Sequence, residues 1–243
     1  MEYSEFERLF CENLRENGLD CFATADLAAK FYRLTSLLSA ANEQMNLTAI
    51  RKPEDMIPLH YADCLLAARY LPNGASVLDC GCGGGFPTLP LAIARPDLHI
   101  TALDSTSKKL GFVKSAADSL GLSNVTTLCG RAEELGSQPE YREKFDVCCA
   151  RAVAALPVLS ELCVPFVKVG GVLLAMKGSN AQEEFDAAQS ALSRLGCRKS
   201  SIETLTLHTW NALECRGMIL ARKSASTLLE FPRKYAQILK KPL

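Results

Sequence analysis

The segment Ser76-Val77-Leu78-Asp79-Cys80 runs straight into Gly81-Cys82-Gly83-Gly84-Gly85 and reopens as a helix-forming stretch at Thr88. An apolar strand that ends on glycines and continues as a helix constrains the fold of this chain more than any other feature. Glycines at such a turn take backbone angles closed to other residues and let the chain approach a ligand closely. The helix start presents unpaired N–H groups to the same space. The segment therefore predicts the first βα unit of an open sheet, with a ligand beyond the carboxyl ends of the strands.

The remaining pattern extends that unit. Short apolar runs at Ser76–Cys80, His99–Asp104, Val125–Cys129, Asp146–Ala150 and Val172–Lys177 alternate with helical stretches at Thr88–Ala94, Lys108–Leu120, Leu156–Val167 and Gln182–Leu195. Two later runs lie near Ser201–Leu207 and Arg216–Ala221. Strands alternating with helices predict a mostly parallel sheet covered on both faces. Upstream, Phe6, Leu9, Phe10 and Leu14 recur at helical spacing, as do Leu27, Phe31, Leu34 and Leu38. Pro53 and Pro58 read as punctuation in a loop, with a short helix around His60–Tyr70. The expected organisation is a helical extension over residues 1–70 and an α/β domain over 71–243 that ends in a basic tail.

Charge is balanced, with 27 basic and 27 acidic residues, so the whole-molecule field does not select a polyanion. The ends are uneven. The first twenty residues are acidic, whereas Arg216, Arg222, Lys223, Arg233, Lys234, Lys240 and Lys241 cluster near the C-terminus. That cluster is either an electrostatic footprint for phosphate or a solvated tail. No apolar run approaches the ~20 residues of a membrane span, and MEYSEFERLF lacks a secretory pattern. The expectation is a soluble cytoplasmic protein. Its eleven cysteines include no C-x-x-C pair, and His60, His99 and His208 are scattered. Reduced, core-filling thiols and no metal site are expected.

The glycine spacing discriminates between ligands. A dinucleotide fingerprint needs G-x-G-x-x-G, and Phe86 stands where its third glycine belongs. The pattern is instead D-x-G-x-G-x-G. An acid two residues ahead of the first glycine suits a ligand with a cationic amino-acid end and would repel a pyrophosphate. S-adenosylmethionine carries an ammonium and a sulfonium and no phosphate. Asp104 closes the second strand, where a carboxylate can accept both ribose hydroxyls. Gly130-Arg131-Ala132-Glu133-Glu134 follows the third strand and would set Ala132 and Glu133 beside an adenine, or simply start a helix with acids at its positive end.

The residues after the fourth strand bear on the methyl acceptor. Cys149-Ala150-Arg151-Ala152-Val153 contains neither the Pro-Pro-aromatic turn that grips an exocyclic amine nor a Pro-Cys nucleophile. A cation, Arg151, stands there. It suits an acceptor that is already a nucleophile, such as guanine N7, although an ion pair with Asp79 or Glu133 would also account for it.

Taken together, the motifs resemble the RsmG (GidB) family, ribosomal RNA small subunit methyltransferase G. The likeness runs from about Asn42 to the C-terminus. It is carried by Asn46-Leu47-Thr48-Ala49-Ile50-Arg51, His60-Tyr61-Ala62-Asp63-Cys64, Asp79 to Pro90, Leu103-Asp104-Ser105 with Lys108-Lys109, Gly130 to Glu134, Ala150-Arg151-Ala152, Met176-Lys177-Gly178 and Phe231-Pro232-Arg233-Lys234. Leu59 stands where many relatives have arginine, Gly84 where many have proline, and the tail lacks a second proline. The resemblance implies a Rossmann-like class I S-adenosylmethionine methyltransferase with a seven-stranded, mostly parallel sheet and an N-terminal helical extension. It implies methylation of N7 of a guanine in small-subunit (16S) ribosomal RNA, with the RNA or the small ribosomal subunit as partner. Gly81, Gly83, Phe86, Ala132, Glu133 and Arg151, with Asp79 and Asp104, are then expected at the cofactor. Asn46, Arg51, His60, Arg131 and Lys177 are candidates for the RNA side. The competing functions are a methyltransferase for another RNA or a small molecule, a nicotinamide dehydrogenase, and a non-catalytic ribosome-associated module.

Overall fold

The computed structural model describes residues 1–243. Its strands are β1 (Ser76–Cys80), β2 (His99–Asp104), β3 (Val125–Cys129), β4 (Phe145–Arg151), β5 (Val167–Lys177), β6 (Lys199–His208) and β7 (Leu213–Arg222). They form one sheet in the order β3-β2-β1-β4-β5-β7-β6. β1 to β5 pair in parallel, and β7 joins β5 and β6 antiparallel. The strand order reverses between β1 and β4, which opens a crevice at their carboxyl ends. The expected seven-stranded, mostly parallel sheet with an N-terminal helical region is what the chain forms.

Period-two burial explains why the sheet is covered twice. Val77 of β1 and Val147 of β4 point into a cluster with Phe6, Phe10, Phe31 and Tyr61. Their neighbours Leu78 and Cys148 point into a second cluster with Phe145, Phe166, Leu192 and Ile238. The first cluster unites the sheet with α1 (Tyr3–Glu16) and α2 (Ala25–Met45), so the N-terminal helices share the core of the sheet. β6 is an edge strand, and its end is covered. Asn13 and Asn17 of the α1 region both donate to the His208 carbonyl, at 2.9 and 3.1 Å, and Asn17 Oδ1 accepts the His208 N–H at 2.8 Å. Seven of the eleven cysteines are buried and none forms a disulfide.

Several boundaries differ from the sequence expectation. Pro53 does not lie in a loop; it opens the short helix α3 (Pro53–Met56), where a fixed φ and a missing N–H carry no cost. Pro58 lies inside a π-helical stretch, Ile57–Ala62, that leads through α4 (Asp63–Leu65) to Tyr70. Pro58 has no N–H to give to the Glu54 carbonyl four residues back. That carbonyl accepts from the Ile57 N–H and, at 2.9 Å, from Trp210 Nε1 of the β6–β7 turn. The helices α5 (Thr88–Ala94), α6 (Ser107–Leu120) and the single turn α7 (Ala132–Leu135) follow their strands. The expected helix Leu156–Val167 stops earlier, as α8 (Leu156–Cys163), because Pro165 has no N–H to continue the ladder to the Glu161 carbonyl, and the chain tightens into a single 3-10 turn, Val164–Phe166. β5 accordingly begins at Val167 and not Val172. The expected helix Gln182–Leu195 divides into α9 (Ala181–Ala187) and α10 (Gln189–Arg194) at Ala188, whose N–H is shared between the Glu184 and Phe185 carbonyls.

The C-terminal segment is docked. Arg142 donates to the carbonyls of Gly136, Thr227, Leu228 and Phe231 at 2.7 to 3.1 Å. Arg233 forks onto Glu161, a fully buried carboxylate, and places α11 (Tyr235–Lys240) against α8. Arg216, Lys223 and Arg233 are all ion-paired inside the fold. Of the basic cluster near the C-terminus, Arg222, Lys234, Lys240 and Lys241 are exposed and without an ion-pair partner, and the last three lie on the docked tail. No helix is long and apolar enough to cross a membrane.

Candidate cofactor and acceptor cavities

A cavity of about 510 Å³ opens at the carboxyl ends of β1, β2 and β4. The glycine loop forms its floor. Gly81 and Cys82 N–H donate to the Leu103 carbonyl at 2.8 and 2.9 Å, which fastens the loop across β2. Gly81 and Gly83 have φ of +77° and +54°, the region that favours glycine. A Cβ at Gly81 would lie 2.7 Å from Val153 Cγ2, whereas a Cβ at Gly83 would project into open space. Gly83 therefore leaves its Cα bare to a ligand. Gly84 lets the Leu47 loop close in, since a Cβ there would sit 3.2 Å from the Leu47 carbonyl oxygen.

Asp104 stands at the cavity edge, where both its oxygens are oriented by backbone. Oδ2 accepts from Gly83 N at 3.0 Å and Oδ1 from Thr106 N at 2.8 Å. Each oxygen keeps acceptor capacity for a hydroxyl. Ala132 and Glu133 line the cavity from the first turn of α7, beside the exposed Arg131.

The opposite wall is a linked set of side chains. Phe86 stacks on His60, with ring centroids 4.1 Å apart at 14°, and Arg151 lies over the Phe86 ring at 5.6 Å. Arg151 donates to Asp63 Oδ2 at 2.7 Å, to the Leu59 carbonyl at 3.2 Å and to His60 Nδ1 at 2.9 Å. A guanidinium only donates, so His60 Nδ1 accepts and its proton resides on Nε2, which donates to Thr48 Oγ1 at 2.8 Å. Burial, reinforced by the neighbouring Arg151 charge, lowers the His60 pKa to about 3, so the ring is neutral. Asp63 accepts from Arg216 Nε on its other oxygen, at 2.8 Å. The ion-pair partner of Arg151 is thus Asp63, and neither Asp79 nor Glu133. Thr48 is brought into place by Asn42, whose side chain accepts the Thr48 N–H and donates to its carbonyl, both at 2.9 Å.

A second cavity, about 580 Å³, adjoins the first and shares Arg151, Ala152 and Val153 with it. Asp63, Lys177, Glu184 and Arg216 line the rest of its polar wall. Ala152 holds φ at +56°, which turns the chain between the two cavities.

The cavities gather Gly81, Gly83, Phe86, Asp104, Ala132, Glu133, Arg131, His60 and Arg151 around the first opening, and Lys177 around the second. Asp79 does not reach either surface. It is fully buried, its Oδ2 accepts from Thr88 N and Oγ1 at 3.1 and 2.6 Å, and Oδ1 has no partner. Burial raises its pKa to about 7 against the lowering effect of the Thr88 hydrogen bonds. Its role is to fix the start of α5 behind the loop. Asn46 caps α2 in the left-handed region and is exposed, and Arg51 is exposed; neither lines a cavity. Sequence reading placed Thr48, Asp63 and Lys109 only within family-like segments and Arg216 only in the basic cluster, and gave no site role to these or to Glu184 and Tyr235. Tyr235 reaches the first cavity only because Arg233 docks the tail, and no local periodicity signals that crossing. No group of three or more His, Cys, Asp or Glu side chains is placed to hold a metal ion.

Comparison with known proteins agrees with this layout. A solved structure described as precorrin-6y C5,15-methyltransferase from Geobacter metallireducens shares the fold, with a TM-score of 0.50 at 19% identity over 67% of this chain and 88% of that one. Among curated proteins, the "Ribosomal RNA small subunit methyltransferase G" of Deinococcus radiodurans is 44% identical over 93% of this chain and 88% of its own length. The protein of the same name from Halalkalibacterium halodurans is 41% identical over the whole of both chains. The family model described as rRNA small subunit methyltransferase G (GidB) matches residues 27–237. A match over that span, with relatives this similar along their whole length, means that the chain belongs to the rRNA small subunit methyltransferase G (GidB) family.

Proposed function

We propose that this protein transfers a methyl group from S-adenosylmethionine to N7 of a guanine in small-subunit ribosomal RNA. Family membership supports the RNA and the methyl transfer. The choice of atom rests on one observation: the only titratable residue on the wall shared by the two cavities is Arg151, which cannot accept a proton. Behind it, both His60 nitrogens are engaged and both Asp63 oxygens are taken by arginines. Such a wall favours an acceptor whose lone pair is already free. Guanine N7 is one; a hydroxyl or an exocyclic amine must shed a proton.

The first cavity fits the cofactor on its own chemistry. Gly83 leaves bare Cα surface, the oriented Asp104 carboxylate can take ribose hydroxyls, and Glu133 and Ala132 flank the remaining space. When bound, S-adenosylmethionine supplies a methyl carbon that the N7 lone pair attacks in line as the C–S bond breaks and a neutral thioether leaves. The protein's contribution is placement. Arg151, pinned at three points, keeps Phe86 and His60 stacked as a rigid side of the cavity. Lys109 and Arg131 at the cavity mouth, with the exposed tail lysines, suit phosphate contacts that position RNA. A protein with this substrate acts where ribosomes are, in the cytoplasm.

The test is incubation with methyl-labelled cofactor and intact small subunits, bare small-subunit RNA, or no RNA. Label in RNA from one of the first two is expected. Label confined to protein or small molecules, or no transfer at all, would remove the proposal.

A further inference from the structure

The second cavity has a polar pair that methyl transfer itself does not use. Lys177, nearly buried, donates to the Ala154 carbonyl at 2.5 Å and pairs with Glu184 Oε2 at 2.7 Å. The same Oε2 accepts from Leu156 N at 2.7 Å. Glu184 Oε1 accepts from nothing in the protein, although the residue lines the cavity. The third ammonium proton of Lys177 is also unassigned.

A carboxylate oxygen and an ammonium side by side present an acceptor next to a donor. The Watson–Crick edge of guanine is the complement, with N1–H and N2–H as donors beside the O6 acceptor. Adenine places an acceptor at N1 and would face the carboxylate with a lone pair. Pairing through this edge leaves N7, on the far side of O6, free of hydrogen bonds. For transfer, N7 has to face the wall of Arg151, Ala152 and Val153 that the two cavities share. We infer that the second cavity seats the acceptor base, and that Glu184, with Lys177, is the specificity-determining contact that selects guanine by its Watson–Crick edge. This inference rests on the proposed guanine methylation.

A purely structural role for the pair, holding the 152–156 loop, would slow transfer to any base alike. Discrimination separates the two roles. RNA carrying guanine or inosine at the modified position is compared in kcat/KM, and in affinity without transfer in the presence of the demethylated cofactor. Inosine lacks only the N2 amine. The wild type is expected to bind guanine RNA about tenfold more tightly or better, the scale of one lost hydrogen bond to a charged group. Glu184→Gln is expected to shrink the guanine-to-inosine ratio in kcat/KM about tenfold. Any intrinsic difference in nucleophilicity between the bases is the same for both enzymes and cancels in that comparison. Equal wild-type affinity for the two RNAs overturns the inference even if Glu184→Gln does not fold, and so does a variant that keeps the wild-type ratio. Methyl transfer to guanine with an unchanged ratio removes this inference alone, whereas absence of any RNA methylation removes the function it rests on.

Discussion

Asp79 and Asp104 stand near the ends of adjacent parallel strands, yet only Asp104 lines the cavity. Both are acids at motif positions, and sequence alone assigns both to the cofactor. Burial divides them. Asp104→Asn is therefore expected to weaken cofactor binding by tenfold or more, about 1.4 kcal/mol, while Asp79→Asn changes it less than about threefold; isothermal titration of the cofactor checks both. The two buried titratable groups also pull stability in opposite directions with pH. His60 is held near 3 in the folded chain, below its ordinary value of 6.5, so the unfolded chain binds the extra proton. Its stabilising contribution is whole above about pH 6.5 and is lost as pH falls from there toward 3. Asp79 is raised from 3.8 to about 7, so the folded chain holds the extra proton. Its contribution is whole below about pH 4 and is lost as pH rises toward 7. In denaturant titrations between pH 4 and 7, His60→Asn should flatten the loss of stability on acidification. Asp79→Asn should raise stability relative to wild type as pH increases, and the reverse signs would refute the assignments.

At the level of elements, two devices outside the sheet complete the site. The π-helical stretch Ile57–Ala62 sets His60 against Phe86, and the docked tail brings Tyr235 to the cavity. The tail depends on Arg142, which gathers four carbonyls from two segments. Arg142→Ala is expected to cost about 2 kcal/mol or more, since several partly buried acceptors lose their donor. Limited proteolysis should then cut beyond residue 227 in the variant and spare the wild type. RNA affinity is a separate property of the same segment, because Arg233 is committed to Glu161 and the exposed lysines are not. Replacing Lys234, Lys240 and Lys241 together by Gln should leave the melting temperature unchanged. It should also lower the salt dependence of RNA binding by roughly two in log–log slope, the value for three phosphate contacts on single strands. An unchanged slope would mean that the tail lies away from the RNA.

For the whole molecule, the strands that carry the site were legible before the structure. β1, β2 and β3 have the bounds their apolar runs predict, because each run is closed by glycine, polar or charged residues and each faces two cores. The candidate cofactor cavity follows from them, since glycine loop, strand-end acid and α7 are each local signals. What was not legible depends on distant partners. Nothing near Pro58 says that Trp210 will donate to the Glu54 carbonyl, and nothing near Arg151 says that Asp63, not Asp79 or Glu133, will pair with it. The basic cluster likewise reads as a free tail until Glu143 and Glu161, far away in sequence, claim two of its charges. The balanced overall charge supplies no net pull on a polyanion, so the proposed RNA recognition rests on local contacts, Lys109 and Arg131 at the first cavity and the exposed lysines of the tail. The most direct measurement is therefore to map the methyl group. Small-subunit RNA modified by the wild-type protein is treated with mild reduction and aniline, which cleaves at N7-methylguanine. Cleavage at one guanine, absent without protein or without cofactor, is the predicted result; labelled RNA that resists cleavage, or RNA that acquires no label, would contradict the account.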